Sequence, residues 1–175
     1  MTDNSDKHIL VVDDEPDVRQ YLKTILEDAG FNVTCAEDGE AALEVIKDTP
    51  PDFISLDLIM PRKSGHRLLY ELKKNKAWSR IPVLVVTAHA RDELGKGDLA
   101  DLLENSVMSG PGTYLEKPVN PASYVRSIQR ALGIPETEES EEKVSLKAEL
   151  RSRLNDADPD ALKRALEALR THVKK

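Results

Sequence analysis

The sequence is poor in cysteine, in aromatic residues and in long apolar runs. Its 175 residues include a single cysteine, Cys35, so no disulfide can form within the chain. No apolar run approaches the ~18 residues that a membrane span needs, and the polar residues 1–6 lack the basic and apolar parts of a secretory signal. From these absences we expect a cytoplasmic protein that does not enter a membrane.

The chain is also short of positive charge. It has 25 lysine and arginine residues against 32 aspartate and glutamate residues, which gives a net charge of −7 and a pI near 5.2. Nucleic acid and anionic lipid are themselves negatively charged, so a net negative charge argues against either as a binding partner. With 39% hydrophobic and 33% charged residues, the chain can form a globular core of ~100 to 150 residues plus an appendage.

Apolar runs and amphipathic stretches alternate along the first 133 residues. Residues 8–12 form a continuous apolar run, which predicts a strand buried on both faces. Pro16 then suits a first helical turn, and apolar residues recur at helical spacing until Gly30. Five such β-then-α units predict an α/β domain with a doubly wound, five-stranded parallel sheet. Further strands are predicted at 32–36, 53–56, 81–86 and 113–116, and further helices at 40–48, 65–74, 93–105 and 122–132.

The composition changes after residue 133. Residues 134–142 carry a run of glutamates without apolar periodicity, which indicates an acidic linker. Residues 143–175 hold two leucine-lined stretches and are predicted to form a helical hairpin. A lone hairpin cannot bury both leucine stripes, so the rest of each stripe needs another surface, which is either the first domain of the same chain or the same helices of a second copy. Of the two we expect a homodimer formed through these C-terminal helices, because the acidic linker would hold the tail away from an acidic first domain.

Polar residues stand at the carboxyl ends of the predicted strands. Asp13 and Asp14 follow the first strand, Asp57 the third, Thr87 ends the fourth and Lys117 follows the fifth. Because parallel strands share this edge, we expect these side chains to converge. Carboxylates so close together need a counter-charge, and their oxygens suit Mg²⁺. The sequence therefore predicts a site where Mg²⁺ and the lysine ammonium compensate three carboxylates.

Asp57 is the candidate nucleophile of this site. It stands alone at the end of the central strand, whereas Asp13 and Asp14 have the arrangement of a chelating pair. With Mg²⁺ and Lys117 withdrawing charge, a carboxylate oxygen can attack phosphorus and form an acyl phosphate. The metal, Lys117 and the Thr87 hydroxyl would then hold the phosphoryl oxygens.

The motifs around these residues resemble those of the receiver domains of bacterial two-component response regulators. The matching stretches are VVDDEP at 11–16, AEDGEAA at 36–42, DLIMP at 57–61 followed by Gly65, VTA at 86–88 and YLEKP at 114–118. The resemblance implies a receiver domain at residues 1–133 with a flavodoxin-like sheet of strand order 2-1-3-4-5.

The resemblance also implies roles for individual residues. Asp57 would accept a phosphoryl group from a sensor histidine kinase. Asp14 would bind Mg²⁺ directly and Asp13 largely through water, and the backbone carbonyl of Ile59 would complete the ligands that the protein supplies.

Two further residues match the switch positions of the family. The hydroxyl of Thr87 would move onto the phosphoryl group and the ring of Tyr114 would rotate inward, which would signal to a downstream protein partner. The segment from Thr87 to Lys117 spans about 30 residues, longer than the family pattern by one to two helical turns.

Two other functions are alternatives. A DNA-binding transcriptional regulator would act through the C-terminal helices, but residues 134–175 hold 10 acidic and 9 basic residues and no basic stripe. An aspartyl-phosphate, metal-dependent phosphatase usually needs a second aspartate two positions after the nucleophile, where this chain has Ile59. We therefore expect a signalling switch that is not an enzyme and that does not bind nucleic acid by this chain.

Overall fold

The computed structural model describes residues 4–88 and 114–135, together with single positions of the C-terminal tail. The strands are β1 (His8–Val12), β2 (Asn32–Ala36), β3 (Phe53–Leu56), β4 (Val83–Thr87) and β5 (Tyr114–Glu116). The helices are α1 (Pro16–Asp28), α2 (Gly39–Asp48), α3 (Ser64–Lys74) and α4 (Pro121–Leu132), with short 3-10 turns at Asn4–Asp6 and Pro61–Lys63.

The five strands form one parallel sheet in the order β2-β1-β3-β4-β5. This order confirms the predicted doubly wound, flavodoxin-like fold. In the centre of the sheet, Val12 of β1 lies opposite Leu56 of β3, which in turn lies opposite Val85 of β4. The carboxyl ends of β1, β3 and β4 therefore meet at one edge of the sheet.

Helices cover both faces of the sheet, and each face has its own apolar core. Side chains alternate along β3, so Ile54 and Leu56 face the core shared with α2 and α3. Phe53 faces the other core, which α1 and α4 complete. The central strands are buried on both faces, which explains their continuous apolar sequences.

Local sequence signals set the helix ends. Pro16 begins α1, where a missing N–H costs nothing. The side chain of Asp38 accepts hydrogen bonds from two backbone N–H groups in the first turn of α2, and Asn120 caps α4 in the same way with one bond. After α4, Gly133 has a φ of 65°, a left-handed conformation that favours glycine.

The predicted boundaries agree with the described elements to within two residues. The largest difference is the fourth strand, which was predicted to begin at Ile81 and begins at Val83. The N–H of Ile81 donates to the carbonyl of Trp78 in a turn, and Pro82 has no N–H to donate. The ladder therefore starts only after the proline.

Several predicted features lie outside the described residues. They include the helix at 93–105, the linker beyond residue 135 and most of the hairpin at 143–175. Leu146 and Leu150 are described as helical, and each is 57% exposed. Within the described parts of the chain, none of the helices is long and apolar enough to cross a bilayer.

Candidate functional site

Three aspartates converge where β1 and β3 end. Asp13 and Asp14 follow Val12 of β1. Asp57 follows Leu56 of β3, which lies opposite Val12 in the sheet. One carboxylate oxygen from each aspartate lies within 4.8 Å of the others. Asp13 and Asp57 are buried, with 1% and 4% of their surface exposed, and Asp14 is partly exposed. The structure thus brings together the three carboxylates that the sequence predicted.

Lys117 supplies the positive charge of this cluster. Its N–H donates to the carbonyl of Thr87 at 3.0 Å, which continues the pairing of β4 with β5 to the edge of the sheet. Its Nζ lies 2.9 Å from Oδ2 of Asp13 and 2.9 Å from Oδ2 of Asp57. A third carboxylate, that of Glu15, lies 3.3 Å away. The lysine therefore binds both buried aspartates at once.

Burial and ion pairing have opposite effects on the site's proton affinities. Burial raises the pKa of Asp57, and this outweighs the hydrogen bonds from Lys117 and from the N–H of Ile59, which lower it. Burial alone would lower the pKa of Lys117, but its hydrogen bonds to Asp13 and Asp57 raise it above the usual value. The site therefore holds a fixed cation beside an acidic group whose charged form is disfavoured.

The two oxygens of Asp57 have different partners. Oδ1 accepts the N–H of Ile59 at 2.9 Å, and Oδ2 accepts a hydrogen bond from Lys117 at 2.9 Å. The strand end is held tightly by the start of α3, since a Cβ at Gly65 would lie 2.6 Å from the carbonyl oxygen of Asp57. This close approach explains why the motif has glycine at that position.

Thr87 carries a buried hydroxyl at the carboxyl end of β4. The residue is 1% exposed, and its Oγ1 has no hydrogen-bond partner among the residues that the structure describes. A buried hydroxyl without a partner costs about 1 to 3 kcal/mol. Thr87 ends the strand next to β3, at the same edge of the sheet as Asp57.

Two predicted site residues are only partly placed. Tyr114 begins β5 opposite Val85, but its side chain lies outside the described part, so its switch role stays a prediction. The N–H of Ile59 binds Asp57 and its side chain is 42% exposed, while the metal-ligand role of its carbonyl stays a prediction.

The sequence motifs did not predict a role for two residues that lie near the site. The N–H of Glu15 donates to Oδ1 of Asp13 at 3.0 Å, and its carboxylate contacts Lys117. Arg19, one helical turn later, donates from Nη1 to the carbonyl oxygen of Asp13 at 2.6 Å. The available signal was position in the chain, because Glu15 directly follows the two aspartates and Arg19 lies four positions after it, on the same helix face.

The family comparison agrees with this geometry. Residues 9–129 match the family described as the response regulator receiver domain, and the match includes all three aspartates of the cluster, Thr87 and Lys117. The chain belongs to this family. The resemblance inferred from the motifs is therefore confirmed for the receiver domain as a whole.

Curated relatives of this receiver domain differ in length. An uncharacterized 14.6 kDa protein from the sodA1 3′ region of Leptolyngbya boryana is 34% identical over 122 residues, which cover 70% of this chain and 87% of that protein. The probable transcriptional regulator ycf27 of Cyanophora paradoxa is 36% identical over 72% of this chain and 48% of its own length. PhoB, the phosphate regulon transcriptional regulatory protein of Pseudomonas aeruginosa, is 33% identical over 72% and 52%. The chain thus spans about half the length of these two regulators.

Solved receiver structures have the same fold. The chemotaxis response regulator CheY4 of Vibrio cholerae is 27% identical, with a TM-score of 0.61 over 71% of this chain and 98% of that chain. The receiver domain of the sensor histidine kinase PA1611 of Pseudomonas aeruginosa is 28% identical, with a TM-score of 0.60 over 73% and 98%. That structure has a magnesium ion coordinated in its active site cleft.

Proposed function

We propose that this receiver domain takes a phosphoryl group from a sensor histidine kinase on Asp57 and signals through the resulting change of conformation. The observation that carries the proposal is the buried carboxylate of Asp57, which lies beside two further aspartates and 2.9 Å from the ammonium of Lys117. One site thus contains a nucleophile, a fixed cation and oxygen donors for a metal. Phosphoryl transfer depends mainly on such positioning and electrostatic stabilisation.

The transfer forms one bond and breaks one bond. A carboxylate oxygen of Asp57 attacks the phosphorus of a phosphohistidine on the kinase. The P–O bond forms as the P–N bond breaks, and the bonding electron pair stays on the imidazole nitrogen of the kinase. The ammonium of Lys117 stabilises the negative charge on Asp57 and on the oxygens of the incoming phosphoryl group. The hydroxyl of Thr87 donates a hydrogen bond to a phosphoryl oxygen after transfer.

The donor set of the site fits Mg²⁺, which binds carboxylate and carbonyl oxygens together with water. In the proposed arrangement Asp14 and Asp57 bind the ion directly, Asp13 binds it largely through water, and Ile59 contributes its carbonyl oxygen. When bound, the ion supplies positive charge to the phosphoryl oxygens. The magnesium in the similar receiver domain of PA1611 supports this assignment.

The chain is proposed to keep its phosphoryl group as a signal and not to act as a phosphatase on other substrates. Ile59 is an apolar side chain, 42% exposed, two positions after Asp57, so it cannot act there as a general acid. We expect no release of inorganic phosphate from p-nitrophenyl phosphate above that of Asp57→Asn. Repeated release of phosphate by the wild type, and none by Asp57→Asn, would instead identify the chain as a phosphatase.

The downstream partner is proposed to be a protein. The relatives named ycf27 and PhoB are transcriptional regulators, which favours DNA binding as a second candidate, but the match covers about half of each. The tail of this chain has 10 acidic and 9 basic residues, a balance that does not favour DNA. A gel shift of mixed genomic fragments by the phosphorylated chain would establish the second candidate.

The C-terminal helices are proposed to form a homodimer. Leu146 and Leu150 are each helical and 57% exposed, and a spacing of four positions is typical of residues on one helix face. Light scattering at tens of micromolar should give a dimer for the full chain and a monomer for a chain ending at Gly133. A monomeric full chain, or a dimeric truncation, would contradict this proposal.

Labelling with a small phosphodonor tests the acceptor. Acetyl phosphate and Mg²⁺ should add the mass of one phosphoryl group to the intact chain, and Asp57→Asn should stay unmodified because the amide lacks a nucleophilic oxygen. Asp17→Asn, an exposed aspartate of α1, is the matched control and should be labelled like the wild type. Equal labelling of Asp57→Asn would place the acceptor elsewhere.

A further inference from the structure

A buried hydroxyl pair joins β3 to α4 beneath the site. The hydroxyl of Tyr124 donates to Oγ of Ser55 at 2.7 Å, and the two residues are 0% and 1% exposed. Both lie at the apolar core that α1 and α4 form with the sheet. Ser55 precedes the acceptor Asp57 by two positions. The proposed transfer step uses neither hydroxyl.

Ser55 and Asp57 face the same side of β3. Side chains alternate along a strand, and Phe53 belongs to the α1 and α4 core whereas Ile54 and Leu56 belong to the opposite core. Positions two apart on one face are separated by about 6.6 Å. The hydroxyl pair therefore fixes β3 at Ser55, which is the residue before Asp57 on the same face of the strand.

The chain around α4 is joined to this face of β3 at two points. Lys117, shortly before Pro121 begins the helix, binds Asp57 through its ammonium. Tyr124, in the second turn, binds Ser55. A phosphoryl group on Asp57 changes the charge that Lys117 meets, while the second contact holds the helix against the strand. The strand and the helix therefore have one variable and one fixed connection.

A hydrogen bond restricts this contact more than apolar packing would. Its donor–acceptor distance and direction are limited to narrow ranges, and either hydroxyl left unpaired in an apolar core is costly. The strand and the helix therefore cannot slide past one another at this point without breaking the bond.

We propose that Ser55 and Tyr124 are positioning residues for Asp57. Their hydrogen bond sets the position of the acceptor strand relative to α4, and so determines how tightly the site holds a phosphoryl group and how α4 responds to it. The inference rests on the proposed phosphorylation of Asp57 and adds regulation of that site through the last helix of the domain. Beyond α4, Gly133 and the buried Ile134 lead to the C-terminal tail.

Beryllofluoride binding to the full chain in Mg²⁺ tests the inference. Tyr124→Phe removes the donor and Ser55→Ala removes the acceptor. Each single variant should bind beryllofluoride about three- to tenfold more weakly, because binding must then restore the strand position that the bond no longer sets, at a cost limited to about the free energy of one hydrogen bond. The double variant should bind no more weakly than the singles, because both changes break the same bond. Amide exchange over residues 121–134 should change less on binding than in the wild type.

Two control variants separate positioning from general stability. Ile128→Val removes a methylene from the same helix and core without changing a hydroxyl, so it should lower Tm but leave the Kd for beryllofluoride unchanged. Tyr70→Phe makes the same chemical change as Tyr124→Phe at a tyrosine that is 55% exposed, and should change neither quantity. If Ser55→Ala does not fold, Tyr124→Phe against Ile128→Val decides the question.

The outcomes distinguish the two proposals. Wild-type affinity in Tyr124→Phe, or a loss no larger than that of Ile128→Val, would overturn the positioning role while leaving phosphorylation of Asp57 intact. Failure of the wild type to bind beryllofluoride, or equal binding by Asp57→Asn, would overturn the proposed function and the positioning role with it.

Discussion

The ammonium nitrogen of Lys117 lies 2.9 Å from Oδ2 of Asp57, although 60 positions separate the two residues in the chain. The same nitrogen lies 2.9 Å from Oδ2 of Asp13. One cation thus compensates two buried carboxylates of like charge. The stability of the domain and the chemistry of the site consequently depend on the same lysine.

Lys117→Met should destabilise the metal-free domain. Two buried carboxylates would lose their counter-charge, and breaking a buried ion pair on one side costs about 3 kcal/mol or more. Mg²⁺ should restore part of this loss because it replaces the missing positive charge. Urea unfolding in EDTA and in Mg²⁺ measures both effects. Lys23→Met, which breaks only a surface pair with Glu27, is the control, and equal stability of the two variants in EDTA would contradict the prediction.

Asp57→Asn should stabilise the metal-free domain at neutral pH. Burial raises the pKa of Asp57 above 3.8, so folding disfavours its charged form. A raised folded-state pKa gives stability below the unfolded value that is lost as the pH rises through the folded value. The variant should therefore be more stable than the wild type at pH 7, and the difference should vanish as the pH falls below 3.8. Urea unfolding of both proteins between pH 3 and pH 7 measures this difference in the free energy of unfolding. A difference that does not change with pH would contradict the prediction.

Asp14→Asn should weaken Mg²⁺ binding at least tenfold. Even residues that only support metal ligands contribute about 10- to 100-fold in affinity, and a site with few carboxylates has little redundancy. Isothermal titration measures the affinity. Glu15→Gln changes an adjacent carboxylate whose side chain is 62% exposed, and it should bind Mg²⁺ nearly as well as the wild type. Comparable losses in both variants would show that only the total negative charge matters.

Thr87→Val should separate stability from phosphoryl binding. The hydroxyl of Thr87 is buried without a partner among the described residues, so replacing it with a methyl group should not lower the free energy of unfolding. Beryllofluoride should bind about tenfold more weakly or worse, because the variant lacks one hydrogen bond to a charged group, which contributes ~1.5 to 3 kcal/mol. Thr87→Ser should bind like the wild type. Full affinity in Thr87→Val would remove the hydroxyl from the switch.

The order of strands and helices was predictable because its signals are local. Apolar runs at 8–12 and 53–56 and helical spacing after Pro16 depend on neighbours within a few positions. The start of β4 was misplaced by two residues, because the N–H of Ile81 donates to the carbonyl of Trp78 and Pro82 has no N–H to donate, so the strand begins at Val83. Local patterns do not indicate which backbone groups a neighbouring strand will bind.

The sequence alone predicted which side chains converge at the site, namely those of Asp13, Asp14, Asp57 and Lys117. Each of these residues follows a strand end, and parallel strands share one carboxyl edge. Which oxygen meets which donor was decided only by the tertiary structure. The tertiary structure also decided the hydrogen bond between Tyr124 and Ser55. The sequence pattern predicts only that the tyrosine lies on a helix and the serine in a strand. Such contacts depend on the distance and rotation between a strand and a helix far apart in the chain, and packing of the whole core sets these quantities.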